Sequence, residues 1–333
     1  MLTKAAVLGT GAMGTVLAQV LASNGIHVAL WGRRAEQVAA LLTWRENRRY
    51  LPGIRLSERI LPTDDAARAL AHAELVFSAV PCQFLRATWE RLGPYVGAGV
   101  PICSVTKGIE TETLARPSQI IDAHVGDNPL AVLSGPSIAP ELARCLPATV
   151  VVASSSPAVA KLVQSVLSNS AFRVYTNPDV LGVELAGALK NVIAIAAGIL
   201  DGLRAGDNAK AALLTRGLVE ITRLGVALGA RQETFVGLAG VGDLVTTCVS
   251  PLGRNRSAGE RIGRGASVEQ VIRESPAVIE GIPTTRAVLA LARRCQVEMP
   301  ITRAVHAVLF EHKPPLEAIT ELMNRPPKAE EPW

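Results

Sequence analysis

Aromatic side chains are scarce in this 333-residue chain: Phe, Trp and Tyr make up 4% of it. That argues against the stacking platforms that hold single-stranded nucleic acid. An excess of one charge is lacking too. The 34 Lys and Arg outnumber the 29 Asp and Glu by only +5. The basic residues form short clusters, Arg33–Arg34, Arg48–Arg49 and Arg254–Arg256, and no long run. A nucleic-acid partner is therefore not expected, while an anionic small molecule suits the balance. Cysteines number 5 and none stands in a CxxC pair, which fits reduced thiols in a cytoplasm. His27, His72, His124, His306 and His312 have no ligand-like spacing, so no metal is expected. Ala5–Gly32 lacks any Asp, Glu, Lys or Arg, but glycines, Gln19, Ser23-Asn24 and His27 interrupt it. No apolar run of about 18 residues survives there, and a basic leader with a cleavage site is missing. The reading is a soluble cytoplasmic protein with no stable membrane insertion.

What the chain does have is apolar residues, 49% of it, enough for a large core. Its length favours two domains. The first half alternates short β-rich runs with helical pieces. Strands are expected at Lys4–Gly9, His27–Trp31, Leu75–Val80, Ile102–Thr106, Leu130–Leu133, Thr149–Ala153 and Arg173–Thr176. Continuous apolar runs of this kind indicate a buried parallel sheet with crossover helices. From about Leu181 the apolar spacing becomes helical. Helices are expected at Leu185–Gly202, Ala209–Leu228, Ser257–Gly263, Val268–Glu274, Thr284–Cys295 and Ile301–Phe310. The turn-rich Thr176-Asn177-Pro178-Asp179 sets the boundary. The expected organisation is a dinucleotide-binding α/β domain over 1–178, an all-α domain over 179–323, and a tail over 324–333 with the composition of a disordered end.

Residues 9–14 read GTGAMG, a GxGxxG that follows a strand and opens a helix. In that context Gly9 allows the tight turn, Gly11 lets the backbone approach a pyrophosphate, and Gly14 lets helix and strand pack closely. The phosphates would rest on the helix N-terminus. An acidic residue about 20 positions on would favour NAD. The chain has Arg33 and Arg34 there instead, so NADP is expected, Arg33 being the stronger candidate, with NAD also accepted.

Further motifs follow in order: SVTKGIE (104–110), LSGPSIAPEL (133–142), GALKNVIAIAAG (187–198), AGVGDLVTTC (239–248), GRNR (253–256) and VIEG (278–281). Together with GTGAMG they closely resemble the bacterial-type NAD(P)-dependent glycerol-3-phosphate dehydrogenases, from about Lys4 to Leu322. The resemblance implies a Rossmann domain followed by a helical domain like the C-terminal domain of 6-phosphogluconate dehydrogenase, with catalysis in the cleft between them. It implies a homodimer and the reversible reduction of dihydroxyacetone phosphate to sn-glycerol 3-phosphate, the backbone precursor of phospholipids. Carried over by position, Lys190 is the acid/base, and Lys107 touches both substrate and cofactor. Gly135 and Ser137 are substrate contacts, and Ala139 is a cofactor contact. Asp243 and Thr247 stand near the reacting carbon, and Arg254 with Asn255 holds the phosphate, Arg254 also reaching the cofactor. Val278 and Glu280 are further cofactor contacts. Two departures stand out. Ala12-Met13 replaces the usual Ser and Trp or Tyr in the glycine loop, where Ala12 and Met13 remain cofactor-loop positions. Gly253 replaces a Ser that often precedes the Arg-Asn pair, leaving a substrate hydroxyl contact missing or met by backbone.

The residues alone are consistent with that chemistry. Between Glu184 and Asp201, Lys190 is the only charged side chain, which calls for a partner or a task. Burial and a nearby Lys107 would lower its pKa toward neutrality, and Asp243 would raise it. Asn191 can orient a substrate oxygen. Asp243 is expected on a loop between glycine turns, or capping the helix after it. Arg256 is expected at the surface, and Cys248 in a packing role. Two rival readings remain: a hydroxy-acid or sugar-acid dehydrogenase of the same architecture, and a non-catalytic NADP-binding sensor.

Overall fold

The computed structural model describes residues 2–327, 329 and 330. The chain divides into two compact units. The first comprises 1–106 and 117–180, the second 107–116 and 181–333. Residues 107–116, which leave the sheet of the first unit, thus pack with the second.

In the first unit the strands are β1 (Lys4–Leu8), β2 (His27–Trp31), β3 (Glu46–Asn47), β4 (Leu51–Arg55), β5 (Ile60–Thr63), β6 (Leu75–Ser78), β7 (Ile102–Ser104), β8 (Leu130–Ser134), β9 (Ala148–Ala153) and β10 (Phe172–Asn177). Its helices are α1 (Ala12–Ser23), α2 (Ala35–Trp44), α3 (Ala66–Leu70), α4 (Leu85–Leu92), α5 (Pro117–Val125), α6 (Ala139–Ala143) and α7 (Pro157–Leu167). Eight strands form one sheet in the order β10-β9-β8-β7-β6-β1-β2-β5. From β5 to β8 this is the doubly wound order of a dinucleotide-binding fold. Ala5, Val7, Val28, Leu30, Leu75 and Phe77 sit in its core, packed against Val16, Leu17 and Leu21 of α1. Two features were not expected. The sheet is not wholly parallel, because β9 runs antiparallel to β8, with Leu133 opposite Val152. A fully buried apolar run does not reveal its own direction. Strands β3, β4 and β5 are also additional. Pro52-Gly53 in β4 and Pro62 in β5 read as breaks, but β5 is an edge strand, where a proline is tolerated.

The second unit is helical: α8 (Val180–Leu203), α9 (Asp207–Ala227), α10 (Gln232–Phe235), α11 (Asp243–Val249), α12 (Arg254–Gly263), α13 (Val268–Glu274), α14 (Gly281–Arg294), α15 (Pro300–Phe310) and α16 (Pro315–Met323). Helix α8 is long and apolar enough to cross a membrane, yet 94% of its most apolar window is buried, as in the central helix of a core. Helix α12 lies directly on α8. A Cβ on Gly198 would stand 1.9 Å from the Arg256 carbonyl, and one on Gly259 2.0 Å from that of Ile195. Gly202 and Gly263 extend this contact one turn further on each helix. Only glycine lets two backbones approach so closely, and the pairing fixes where α12 begins relative to Lys190. Of the expected tail, 324–333, residues 328 and 331–333 lie outside the described residues; Arg325 pairs with Glu298 at 2.7 Å.

Candidate active site

The glycine loop leaves β1 between its two neighbours, β2 and β6, the point where the strand order reverses. Gly9 has φ +117°, and a Cβ there would press on the Ala79 carbonyl at 2.7 Å. A Cβ on Gly14 would meet the Gly9 carbonyl at 1.9 Å, so the first turn of α1 sits against the loop. Gly11 caps α1 with extended backbone and no side-chain hydrogen bond, and its Cβ direction is open space. The first turn of α1 holds no acidic residue. Bare amide donors facing open space fit a pyrophosphate. Ala12 and Met13 begin α1, half-buried.

Arg33 and Arg34 follow β2 and are exposed. The Arg33 guanidinium stacks over Phe84 at 5.6 Å, and Arg34 donates to Gln37 Oε1 at 2.8 Å and Tyr50 OH at 3.1 Å. No carboxylate occupies the end of β2. Gly135 (φ +119°), Ser137 and Ala139 lie where β8 turns into α6, with the Ser137 hydroxyl donating to the Gly135 carbonyl at 2.9 Å.

The remaining candidates all belong to the second unit, and most converge. Lys190, midway along α8, is 4% exposed. Its ammonium donates to Asp243 Oδ1 at 2.7 Å and to the Thr247 hydroxyl. Asp243 and Thr247 are one turn apart on α11, so both face α8. The other Asp243 oxygen, Oδ2, takes the Lys107 ammonium at 2.7 Å. One carboxylate therefore bridges two ammoniums. The Lys190 side chain is nearly enclosed, while that of Lys107 keeps 19% of its surface.

Burial pushes the Lys190 pKa down, Asp243 pulls it back up and Lys107 lowers it again; the result is about 8. Burial raises the pKa of Asp243, but the charges of Lys107 and Lys190 outweigh it and hold the carboxyl below its ordinary value. The Cys248 thiol, buried beside them, is pushed up to about 12 by that burial, so it stays protonated and packs.

A second chain of hydrogen bonds frames this pair. Asn191 Nδ2 donates to the Lys107 carbonyl at 3.0 Å, Asn255 Nδ2 to Asn191 Oδ1 at 2.9 Å, and the Gly281 amide to Asn255 Oδ1 at 2.9 Å. A backbone acceptor at one end and a backbone donor at the other fix the orientation of both amides. Residue 107, α8, α12 and the start of α14 are thereby tied together. Arg254, the first residue of α12, is exposed and donates to the Val278 carbonyl at 3.2 Å. Gly253 caps α12 without a side-chain bond, and a Cβ there would lie 2.9 Å from the Thr247 carbonyl. Glu280 directly precedes α14.

Two expectations need correction. Asp243 is not on a loop: it is the first residue of α11, aimed by the π-helical turn Leu238–Gly242, whose Gly242 amide reaches back to the Gly237 carbonyl at 3.2 Å. The alternative, a helix directly after the glycine turns, is the one observed; the β-branched Val245-Thr246-Thr247 concealed where it begins and ends. Arg256 is half-buried and held in ion pairs rather than free at the surface. It pairs with Asp201 at 2.7 Å and with Glu260 at 3.2 Å, and Lys210 joins Asp201 at 2.6 Å. Sequence reasoning also missed the Arg116–Glu184 ion pair, which anchors the 107–116 segment to α8. The lone Glu184 in an apolar helix was its only signal.

Two family models cover most of the chain. The N-terminus of NAD-dependent glycerol-3-phosphate dehydrogenase matches residues 4–160, and the C-terminus matches 179–320. A glycerol-3-phosphate dehydrogenase [NAD(P)+] of Moorella thermoacetica is 48% identical over 96% of either chain. Its counterpart in Geobacillus thermodenitrificans is 49% identical over 97% of this chain and 95% of its own. Among solved structures, the glycerol-3-phosphate dehydrogenase of Coxiella burnetii superimposes with a TM-score of 0.94 at 39% identity, covering 97% of this chain and 99% of that one. By family model, sequence and fold, the chain belongs to the NAD-dependent glycerol-3-phosphate dehydrogenase family.

Proposed function

We propose that the protein interconverts dihydroxyacetone phosphate and sn-glycerol 3-phosphate with NADP as preferred cofactor and NAD as a second. The observation that carries this reading is the enclosed Lys190 ammonium, held by Asp243 and Thr247 with its pKa near 8. The cofactor, when bound, supplies or accepts the hydride. The open glycine cradle at Gly9, Gly11 and Gly14 fits its pyrophosphate, and Arg33 and Arg34 fit a 2′-phosphate.

Reduction of the ketone leaves an alkoxide that needs a proton. Lys190 has three N–H groups, two of them engaged by Asp243 and Thr247. The third is available to the carbonyl oxygen, first polarising it and then protonating it. A pKa near the working pH makes both this step and its reverse accessible. Asp243 keeps the protonated form available and sets the direction of the ammonium. Lys107 adds positive charge beside the same oxygen. Arg254, exposed at the uncapped start of α12, supplies a planar fork for the substrate phosphate. The helix N-terminus and Asn255 stand next to it. In this reading Asn255 chiefly holds α12 in register through Asn191 and Gly281. Gly135, Ser137 and Ala139 complete the binding surface.

We assign the protein to the cytoplasm as a homodimer that supplies glycerol phosphate for phospholipid synthesis. A hydroxy-acid or sugar-acid dehydrogenase would need carboxylate donors in place of the Arg254-Asn255 pair. Arg254→Ala tests the assignment. The KM for dihydroxyacetone phosphate is expected to rise about tenfold or more, by loss of a charge-assisted bond, with the KM for NADPH little changed. Equal rises would move Arg254 to the cofactor.

A further inference from the structure

Residues 107–116 form a strap that is fastened to α8 at both ends. At one end the Lys107 carbonyl accepts from Asn191 Nδ2 at 3.0 Å, and the Lys107 ammonium meets Asp243 Oδ2 at 2.7 Å. At the other end the Arg116 guanidinium pairs with Glu184. Glu184 and Asn191 are seven residues apart on α8, two turns along one face and about 10 Å along the axis. Both fastenings are thus made to the helix that carries Lys190.

Between its ends the strap is closed on itself. The Glu110 amide donates to the Ala115 carbonyl and the Leu114 amide to the Glu110 carbonyl, both at 3.0 Å. The Thr113 hydroxyl donates to the Glu110 carboxylate and accepts from the Ala115 amide at 3.1 Å. Ile109 is fully buried. A loop bonded in this way moves as a body, so a change at Arg116 is transmitted to Lys107. The lysine needs such support. Its side chain is long and flexible and keeps 19% of its surface, so solvent competes for the ammonium that Asp243 holds. Glu184 is 4% exposed in an apolar helix, where a carboxylate is tolerated when a cation meets it.

We propose that Arg116 and Glu184 are positioning residues for the reaction: they hold the strap on α8 so that the Lys107 ammonium stays on Asp243, beside Lys190. The proposal rests on the reading of Lys190 as proton donor. The groups whose charge bears on Lys190 are Asp243 and the Cys248 thiol of α11 and Lys107 of the strap. Asp243 raises the Lys190 pKa and Lys107 lowers it. Loosening the strap takes Lys107 away and leaves Asp243 in place, so the pKa of Lys190 then rises.

Reduction of dihydroxyacetone phosphate by the full chain, followed against pH, tests the proposal. Glu184→Gln and Arg116→Gln should each lower kcat/KM at pH 7 about tenfold or more, through misplacement of Lys107. Each should also move the fall in rate to higher pH, by about half a unit or more. The shared direction is diagnostic. A direct effect of charge would move the two profiles in opposite directions, because one variant removes a negative charge and the other a positive one. Arg116→Lys, which keeps the charge, should recover most of the wild-type profile. With Lys107→Ala already in place, Arg116→Gln should add nothing further. Circular dichroism checks the fold of each variant; if Glu184→Gln does not fold, Arg116→Gln with its Lys rescue and the Lys107→Ala background carries the test. Profiles that stay in place, shifts of opposite sign, or a full additional loss in the Lys107→Ala background would overturn the proposal and leave the reaction assigned to Lys190 intact. A wild type that does not reduce dihydroxyacetone phosphate would overturn that assignment and this proposal with it.

Discussion

Lys190 shows how a costly residue is made useful. An ammonium among Ala, Leu, Val and Ile is unfavourable until Asp243 and Thr247 meet it, and the same burial that makes it costly lowers its pKa to about 8. Two predictions belong at this scale. With Lys190 as the proposed proton donor, ketone reduction would need it protonated, so kcat/KM in that direction should fall as pH rises through about 8. Alcohol oxidation needs it deprotonated and should rise through the same value. Asp243→Asn removes the group that raises this pKa, so both profiles should move to lower pH and the rate should fall. A pH–rate series on wild type and variant checks the sign; profiles that stay in place would separate Asp243 from the titration of Lys190. Lys190→Ala should cost turnover about 10²–10⁴-fold, the range of a general acid, while NADPH binding, read by fluorescence, persists. The lysine was legible in the sequence because a lone charge in an apolar helix needs a reason. The ion pairing of Arg256 was not, since its partner Asp201 is more than fifty residues away in the chain.

Helices α8 and α12 carry the geometry of the site at the next scale. Their glycines permit backbone contact, and that contact sets the span from Lys190 to Arg254. Gly259→Ala would place a methyl 2.0 Å from the Ile195 carbonyl. Relieving such an overlap typically costs about 1–3 kcal/mol. Urea unfolding should register that loss, and the KM for the phosphorylated ketone should rise because the start of α12 moves. Unchanged stability would mean that the two helices part easily and do not fix the span. Helix α8 itself could be read from its apolar spacing, and most strands of the main sheet from their continuous β-rich runs. The short α11 could not, because its β-branched residues argue against a helix and it is supported by packing on α9 and α12 and by the bonds from Lys190. The antiparallel β9 escaped for a related reason: strand direction depends on the path of the chain around the sheet, which apolar pattern does not encode.

At the scale of the molecule, one unit carries the glycine cradle and the other the ionised cluster, so cofactor choice and acid/base chemistry can be altered separately. Arg33→Ala with Arg34→Ala should raise the KM for NADPH about tenfold or more and leave that for NADH nearly unchanged, as expected for loss of charge-assisted bonds to a 2′-phosphate. Equal effects on both nucleotides would place the two arginines outside that subsite. The passage from a strand-rich first half to a helical second half could be read from the change of periodicity. The return of residues 107–116 to the second unit could not, since it depends on Lys107 meeting Asp243 and Arg116 meeting Glu184. The central claim is that Lys190 protonates a ketone held by its phosphate. Its most direct test is NADPH oxidation by wild-type protein with dihydroxyacetone phosphate, set beside unphosphorylated dihydroxyacetone. Rapid oxidation with the phosphorylated ketone alone is the predicted result. Nucleotide binding without oxidation, or equal rates with both ketones, would contradict it.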